Sequence, residues 1–376
     1  MYPPTSGGTI RTSGIAEGLA QQGFQVRIFS LIGRKGNLFQ PSSLSKPAGP
    51  LDVEEYVLRP SWLTLVGILS FKLGIFPLWA WAWLKIWGRH SKPLRDLTQD
   101  SEVVIADFPF VYPIFEQANH ARKVLNTHNI ETNLATGRFS KKAVRYLENQ
   151  ACKGADVITV CSPSDASYFS AQHLCEALVV PNCISPQAFL KNPSLRDDFR
   201  KKLNLGERKV CLFSASAYGP NREGYEFLKT FSEENTSFMV ENRILFLIIG
   251  SVAQKTEASE VLMVTGRVET VAPYFQAADI ALNPIFRGEG TSIKVAEYIA
   301  AGLPLLTTEV GKRGYQLQDS ESAFVFSKDN FKEQLDKLLG ISDTSRFTVR
   351  ARDANLAALQ VKEALKPLAH WIHDHV

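Results

Sequence analysis

Arg287-Gly-Glu-Gly-Thr-Ser-Ile-Lys-Val-Ala-Glu297 is the stretch that decides the fold of this chain. Before it, Ile280–Asn283 is a short apolar run of strand type, and Ser292–Ala301 after it has the apolar spacing of a helix. Gly288 and Gly290 let the backbone come close to a ligand. Thr291 or Ser292 can cap the helix, whose free N–H groups and dipole favour a diphosphate. Glu289 stands in the loop and Glu297 about one and a half turns inside the helix. One carboxylate can therefore face a sugar while the other reaches ribose hydroxyls. Gly302 closes the helix and Pro304 opens the next strand.

Outward from this turn the same alternation repeats. Val26–Ile32, Val103–Ala106, Val124–Asn126, Val157–Cys161 and Leu178–Val180 form one series of strand-like runs. Val210–Phe213, Ile244–Ile249, Leu262–Val264, Ile280–Asn283 and Leu305–Thr307 form a second. Runs without clean alternation suit strands covered on both faces. Helical patterns such as Thr9–Gln22 and Lys142–Gly154 lie between them. Two blocks of this kind predict two doubly wound α/β domains. A proline-flanked polar stretch, Val180-Pro-Asn-Cys-Ile-Ser-Pro186, marks the boundary. The expected division is 1–183, 184–351 and a C-terminal helix over 352–376.

Length and composition agree. The 376 residues suit two domains, with 45% hydrophobic and 21% charged residues. A net charge of +4 is mildly basic and gives no concentrated stripe of the kind nucleic acid requires, so no nucleic-acid partner is expected. Five cysteines, none in C-x-x-C spacing, argue against a zinc site or a disulfide framework. The opening Met1-Tyr-Pro-Pro-Thr-Ser has neither the basic nor the apolar region of a signal peptide.

Residues 61–87 break the soluble pattern. Trp62, Trp79, Trp81, Trp83 and Trp87 fall here, and Lys85, Arg89, Lys92 and Arg95 lie at its end or just beyond. Lys72 and Pro77 divide the run into pieces shorter than the roughly 20 residues that span a bilayer. Trp79, Trp83 and Trp87 share a helical stripe. The expectation is a hydrophobic membrane-docking protrusion; a buried hairpin or a dimer contact is the alternative.

The combination of motifs resembles family 4 of the glycosyltransferases (glycosyl transferases group 1), which have the GT-B fold. Glu289 and Glu297 match that family's E-x7-E pair, and Ala296-Glu-Tyr-Ile-Ala-Ala-Gly-Leu-Pro304 its helix ending. Val264-Thr-Gly-Arg-Val268, Ala277-Ala-Asp279 and Gly311-Lys-Arg-Gly314 are similar to its neighbouring segments. Val180-Pro-Asn182 resembles its linker, Gly7-Gly8 its N-terminal glycine loop, and Asn126-Thr-His-Asn-Ile-Glu131 its acceptor-side histidine motif. The resemblance implies two Rossmann-like doubly wound domains facing a central cleft. It also implies retaining, metal-independent transfer of a hexose-like unit from a UDP-, GDP- or dTDP-sugar, with no cofactor. The absence of any D-x-D agrees with that expectation.

The family's roles fall on matching positions. Glu289 would contact the donor sugar and Glu297 the ribose. Gly290, Thr291 and Ser292 would offer backbone donors to the phosphates or sugar, and Arg287 and Lys294 counter-charge to the diphosphate. Arg267 and Val268 lie where the base is held. Gly7 and Gly8 would close over the diphosphate and sugar, and His128 would sit at the reacting centre. Many members place a lysine before a glycine early in the second domain. Here Tyr218-Gly-Pro-Asn-Arg-Glu-Gly224 puts Glu223 there, and Arg222 becomes the candidate cation. Asp107 reads as a loop cap.

The acceptor expected is a glycan or lipid-linked precursor, at the inner face of the membrane in the cytoplasm. Two other classes stay open: a non-catalytic sugar-nucleotide-binding subunit and a two-Rossmann sugar-nucleotide epimerase. The tail is expected to pack Trp371 on the first domain. Only Met1–Ser6 precede the glycine pair, and Pro3 and Pro4 cannot donate to a ladder. The sequence therefore predicts a missing first strand, leaving a gap between Val26–Ile32 and Val103–Ala106.

Overall fold

The computed structural model describes residues 7–30, 43–45, 54–57, 76–86, 88, 91–135, 137–173, 176–184, 189, 192–253 and 255–376. The chain forms two compact units. Met1–Asn182 together with Val361–Val376 make the first, and Cys183–Gln360 the second.

The first unit holds two sheets among the described residues. Strands β1 (Arg27–Ser30), β2 (Ser43–Ser45) and β3 (Glu54–Val57) are ordered β1-β3-β2, with β1 parallel and β2 antiparallel to β3. Strands β4 (Val103–Asp107), β5 (Arg122–Asn126), β6 (Val157–Val160) and β7 (Ala177–Val179) form a parallel sheet in that order. β1 and β4 thus belong to different sheets. The expectation of a missing first strand concerns residues 1–6, which lie outside the described residues.

Val104, Ala106, Leu125, Ile158 and Val160 build the core under β4–β7 with Phe115, Ala151 and Phe169. The Pro-rich segment Pro109–Gln117 folds as a 3-10 helix, which the strand and helix patterns did not foresee. The helix Val361–Ala364 and Leu365 after it pack on the helix Gly7–Ala20 so closely that a Cβ on Gly18 would lie 2.7 Å from Leu365 Cγ. Trp371 is buried on this unit, and the neighbouring His375 carbonyl accepts from Arg122 Nε at 2.9 Å. The change of unit falls at Val361, later than the expected Arg352.

Of residues 61–87, the described part is the helix Phe76–Ile86. Its tryptophans do not form an outward stripe. Trp83 is 4% exposed and packs with Leu84 and Leu94, and the partly buried Trp79 leans on the same cluster. The indole of Trp81 donates to Tyr112 Oη at 3.2 Å. The physical reason is that Trp83 and Trp79 find apolar partners in Leu94 and in Val111 and Ile114 of the 3-10 helix. Trp87 and the residues before Phe76 lie outside the described residues. Among the described residues no helix is long and apolar enough to cross a membrane.

The second unit is one seven-stranded sheet. Its strands are β8 (Lys209–Ser214), β9 (Ile244–Ile249), β10 (Glu257–Ala258), β11 (Leu262–Val264), β12 (Ile280–Asn283), β13 (Leu305–Thr307) and β14 (Phe324–Val325). Their order is β10-β11-β9-β8-β12-β13-β14, parallel except for β10. β9 is buried at every position, and the rings of Phe227, Phe231, Phe326 and Phe331 pack beside it. From β8 the chain runs outward on one side through β9 to β11, and then crosses to β12 on the other side of β8. A crevice opens at such a reversal, outside the carboxyl ends of the strands.

Candidate functional site

In the second unit the residues singled out by sequence gather at that reversal. β8 leads into the helix Gly219–Glu234 and β12 into the helix Ile293–Ala300. Gly224 allows the first helix to lie against the loop after β12, since a Cβ there would come 2.4 Å from the Pro284 carbonyl oxygen. The loop after β12 turns twice in the left-handed region, at Gly288 (φ 137°) and Gly290 (φ 68°). Ser292 is the N-cap residue in extended conformation and makes no side-chain cap bond, so the first-turn N–H groups of the helix are not taken by its hydroxyl.

Glu289 lies half-buried in this loop, and Glu297 lies half-buried in the helix. Lys294, on the same face one turn earlier, donates from Nζ to Asn221 Oδ1 at 2.7 Å and rests 4.6 Å above the Phe213 ring. Lys294 and Glu297 keep some open surface but are crowded by protein. Burial pushes Glu297 up to about 7, partly offset by the charge of Lys294. Burial pushes Lys294 down to about 7, partly offset by the charge of Glu297. Both groups are therefore poised to change protonation when a charged ligand arrives.

The remaining expected donor residues divide. Arg287 is exposed and its Nε donates to Glu223 Oε2 at 2.7 Å, while Lys328 holds the other oxygen at 3.2 Å. The Arg287 salt bridge holds Glu223 below the usual carboxylate range against its small loss of hydration. So Glu223 is neutralised by two cations. Arg222 is exposed on the first turn of the helix Gly219–Glu234. Arg267 is exposed and Val268 half-buried just past β11. Thr291 is half-buried.

Three residues of this unit escaped the sequence reading of roles. Asn221 fixes Lys294, and Arg313 clamps the glycine turn through Nε to Gly290 O at 2.9 Å and Nη2 to Gly288 O at 2.6 Å. Tyr315 adds a bond from Oη to Ser292 O at 2.9 Å. The Pro-Asn pair and the Gly311–Gly314 stretch were visible in the sequence, but only the folded turn shows what they hold.

In the first unit the centre is His128, 8% exposed, just beyond the carboxyl end of β5. Its Nε2 donates to Asp107 Oδ1 at 2.7 Å. Thr12 and Asn126 also donate to this carboxylate. Burial alone would raise Asp107, but the charge and hydrogen bond of His128 and the bonds from Thr12 and Asn126 outweigh it, so Asp107 stays below the usual range. Asp107 is thus a partner of the histidine rather than a loop cap. With Nε2 so engaged, the ring turns Nδ1 toward Gly8, whose Cβ position would be 3.7 Å away. Gly7 and Gly8 lie in the helix Gly7–Ala20 rather than in a loop.

Phe108 stacks on His128 with centroids 4.0 Å apart, and it does so at φ 91°. A bulky residue in that region stores strain of roughly 1–3 kcal/mol, held by the surrounding bonds. Arg11, 2% exposed, reaches Asn126 Oδ1 at 2.9 Å, Val180 O at 2.7 Å and Asn182 Oδ1 at 3.2 Å. Glu148, 1% exposed, accepts the Glu131 N–H at 2.9 Å and the Thr132 hydroxyl at 2.6 Å, pinning the segment after His128. Among the described residues no group of three or more His, Cys, Asp or Glu stands ready to hold a metal.

Comparison with known proteins links part of the second unit to a family. Residues 208–342 match the family of glycosyl transferases group 1. The chain is similar to the lipopolysaccharide glucosyltransferase WaaG of Escherichia coli K12, with 28% identity over 156 residues, 39% of this chain and 41% of that protein. The match thus spans about two fifths of the curated relative's length. The crystal structure of WaaG superposes with a TM-score of 0.65 at 19% identity, covering 99% of this chain and 97% of that one. A sucrose-phosphate synthase from Thermosynechococcus elongatus gives 0.68 at 14% identity, covering 98% and 94%. Anabaena HepE in complex with UDP and glucose gives 0.63 at 11%, covering 93% and 99%. The fold is the GT-B fold of glycosyltransferases, and the second unit carries a glycosyl transferases group 1 region.

Proposed function

We propose that this chain is a glycosyltransferase that moves a hexose from a nucleotide-sugar, UDP-linked in the first instance, to a hydroxyl group of a glycan or lipid-linked acceptor. The observation that carries this reading is the turn between β12 and its helix. Two carboxylates, Glu289 and Glu297, flank a helix N-terminus whose Lys294 is tethered by Asn221 at the sheet's reversal point. The UDP preference is supported by HepE, which was solved with UDP and glucose.

In this reading the diphosphate lies at the N-terminus of the helix Ile293–Ala300, over the turn clamped by Arg313. Glu297 takes the ribose hydroxyls and Glu289 the sugar. Arg267 and Val268 flank the base. Protein cations and backbone N–H groups carry the charge that develops as the bond from the anomeric carbon to the diphosphate breaks, without a metal ion. The acceptor oxygen forms its bond on the same face, and its proton passes to the departing phosphate oxygen, so configuration is retained. In the first unit His128, oriented by Asp107, takes part in the reaction through the ring edge turned toward Gly8.

The test is product analysis by NMR with UDP-, GDP- and dTDP-sugars. A transferase releases nucleoside diphosphate and an α-configured product from an α-configured donor. A non-catalytic subunit binds donor and releases nothing. An epimerase converts the donor sugar without releasing nucleotide.

A further inference from the structure

Side chains alternate along a strand, so Phe108, one residue past the end of β4, follows Val104 and Ala106 in register. Val104 and Ala106 enter the core of the first unit with Leu125, Ile158 and Val160, and Phe108 does not join them. It stands half-buried at φ 91° and ψ 145°, and its ring lies on His128 instead. Pro109 accounts for half of this conformation, because the residue before a proline is held to extended ψ. The positive φ is not required by the proline. The Phe108 N–H donates to Asn126 O at 3.0 Å and its carbonyl accepts from Val111 N at 3.3 Å, so the backbone is fixed on both sides. A bulky residue persists in that region only where its surroundings over-determine it, and such residues gather at functional sites.

What the turned ring adds to His128 is a fixed plane. The bond from Nε2 to Asp107 Oδ1 at 2.7 Å holds one atom of the imidazole, and a ring held at one atom can still swing about that bond. Phe108 lies against the face, with centroids 4.0 Å apart and planes 12° from parallel, and Phe110 backs Phe108 at 5.2 Å and 14°. Neighbours on a strand point to opposite faces, yet Asp107 and Phe108 grip the edge and the face of the same imidazole. The positive φ is what lets both reach it. A Cβ on Gly8 would lie 3.7 Å from His128 Nδ1 and 3.7 Å from Phe108 Cζ, so the two rings border Gly8 together.

We propose that Phe108 is a positioning residue for transfer: its strained backbone lays the phenyl face on His128 and keeps the Nδ1 edge aimed at Gly8. The consequence for rate rests on the transfer reading; the grip on the imidazole does not. Without the phenyl face the imidazole leaves the orientation in which it takes part in the reaction. The rate then falls, while the proposed nucleotide site in the second unit is untouched.

Three variants separate positioning from packing. Phe108→Ala and Phe108→Gly both remove the ring, but only glycine relieves the positive φ. Phe108→Gly should therefore unfold at higher urea than Phe108→Ala. Both should lose turnover about tenfold to a hundredfold and bind UDP as wild type does. Phe108→Tyr keeps the flat face and should restore most of the turnover. NMR of the unliganded protein adds a readout that needs no substrate. The carbon-bound ring protons of His128, assigned with His128→Gln, should be displaced upfield by the phenyl ring in wild type and should move back in Phe108→Ala and Phe108→Gly. The proposal is overturned by wild-type turnover in either ring-deleted variant, by turnover that follows the urea midpoint instead of the ring, by Phe108→Ala at least as stable as Phe108→Gly, or by a His128 spectrum that does not change. A wild-type protein that cleaves no donor counts against the transfer reading and takes the rate claim with it, whereas an unchanged His128 spectrum beside an active wild type counts against Phe108 alone.

Discussion

Lys294 Nζ donates to Asn221 Oδ1 at 2.7 Å, joining the helix that follows β12 to the helix that follows β8. The bond leaves the ammonium crowded beside Glu297, and loss of hydration moves the two groups toward 7 from opposite sides. A bound diphosphate favours charged Lys294, and ribose hydroxyls favour charged Glu297. Above pH 7 the free protein holds Lys294 neutral, so nucleotide binding takes up a proton. Below pH 7 it holds Glu297 neutral, so binding releases one. Calorimetry of UDP binding in buffers of different ionisation enthalpy should show uptake at about pH 8 and release at about pH 6. Lys294→Met should abolish the uptake and weaken UDP about tenfold to a hundredfold, the worth of one charged hydrogen bond. A proton count that stays at zero across this range contradicts the prediction.

Asp107 supplies a second pH dependence. Its folded value is depressed, so its contribution to stability is present above the ordinary carboxylate range and is lost as pH falls through the folded value. Denaturant melts of Asp107→Asn should be less stable than wild type at neutral pH, with the difference shrinking in acid. The same change lets the His128 ring turn away from Gly8. Turnover should fall about a hundredfold, with UDP affinity nearly unchanged because the proposed nucleotide site lies in the second unit. A fall in UDP affinity with unaltered turnover would show that the histidine is not placed as described.

Backbone approach gives a stability prediction. Gly224→Ala puts a methyl group 2.4 Å from the Pro284 carbonyl oxygen, whereas Gly219→Ala meets nothing within 4 Å. The first should cost about 1–3 kcal/mol and the second almost nothing, or stabilise slightly. Urea midpoints of the two variants compare them directly, and equal midpoints would mean that the helix Gly219–Glu234 does not lie against the loop after β12.

The strands were largely legible because a parallel sheet buried on both faces writes itself as apolar runs. Ile244–Ile249, Leu262–Val264, Ile280–Asn283 and Leu305–Thr307 fall where the runs placed them. The turn from Arg287 to Glu297 was legible because glycines and a helix start are local signals. What holds the turn was not. Asn221 lies 73 positions from Lys294, and Arg313 lies 25 from Gly288, separations that no periodicity reports. Asp107 read as a loop cap because its three donors, Thr12 on a helix, Asn126 at the end of β5 and His128 just after it, are distant from it in sequence. The tryptophan stripe was ambiguous for a related reason. An apolar face beside basic residues fits both lipid and a protein core, and only the position of Val111 and Ile114 decides that Trp83 is inside.

The most direct measurement of the central claim is release of nucleoside diphosphate from UDP-, GDP- and dTDP-sugars, followed by NMR, for wild type and Glu289→Gln. Glu289 faces the sugar in the proposed reaction, and its carboxylate matters most as charge develops there. The account predicts that wild type releases nucleotide from at least one donor. Glu289→Gln should keep its melting temperature and bind UDP as well as wild type, with turnover reduced about a hundredfold or more. Turnover in Glu289→Gln equal to wild type, or a wild-type protein that neither binds nor cleaves any of these donors, would contradict it.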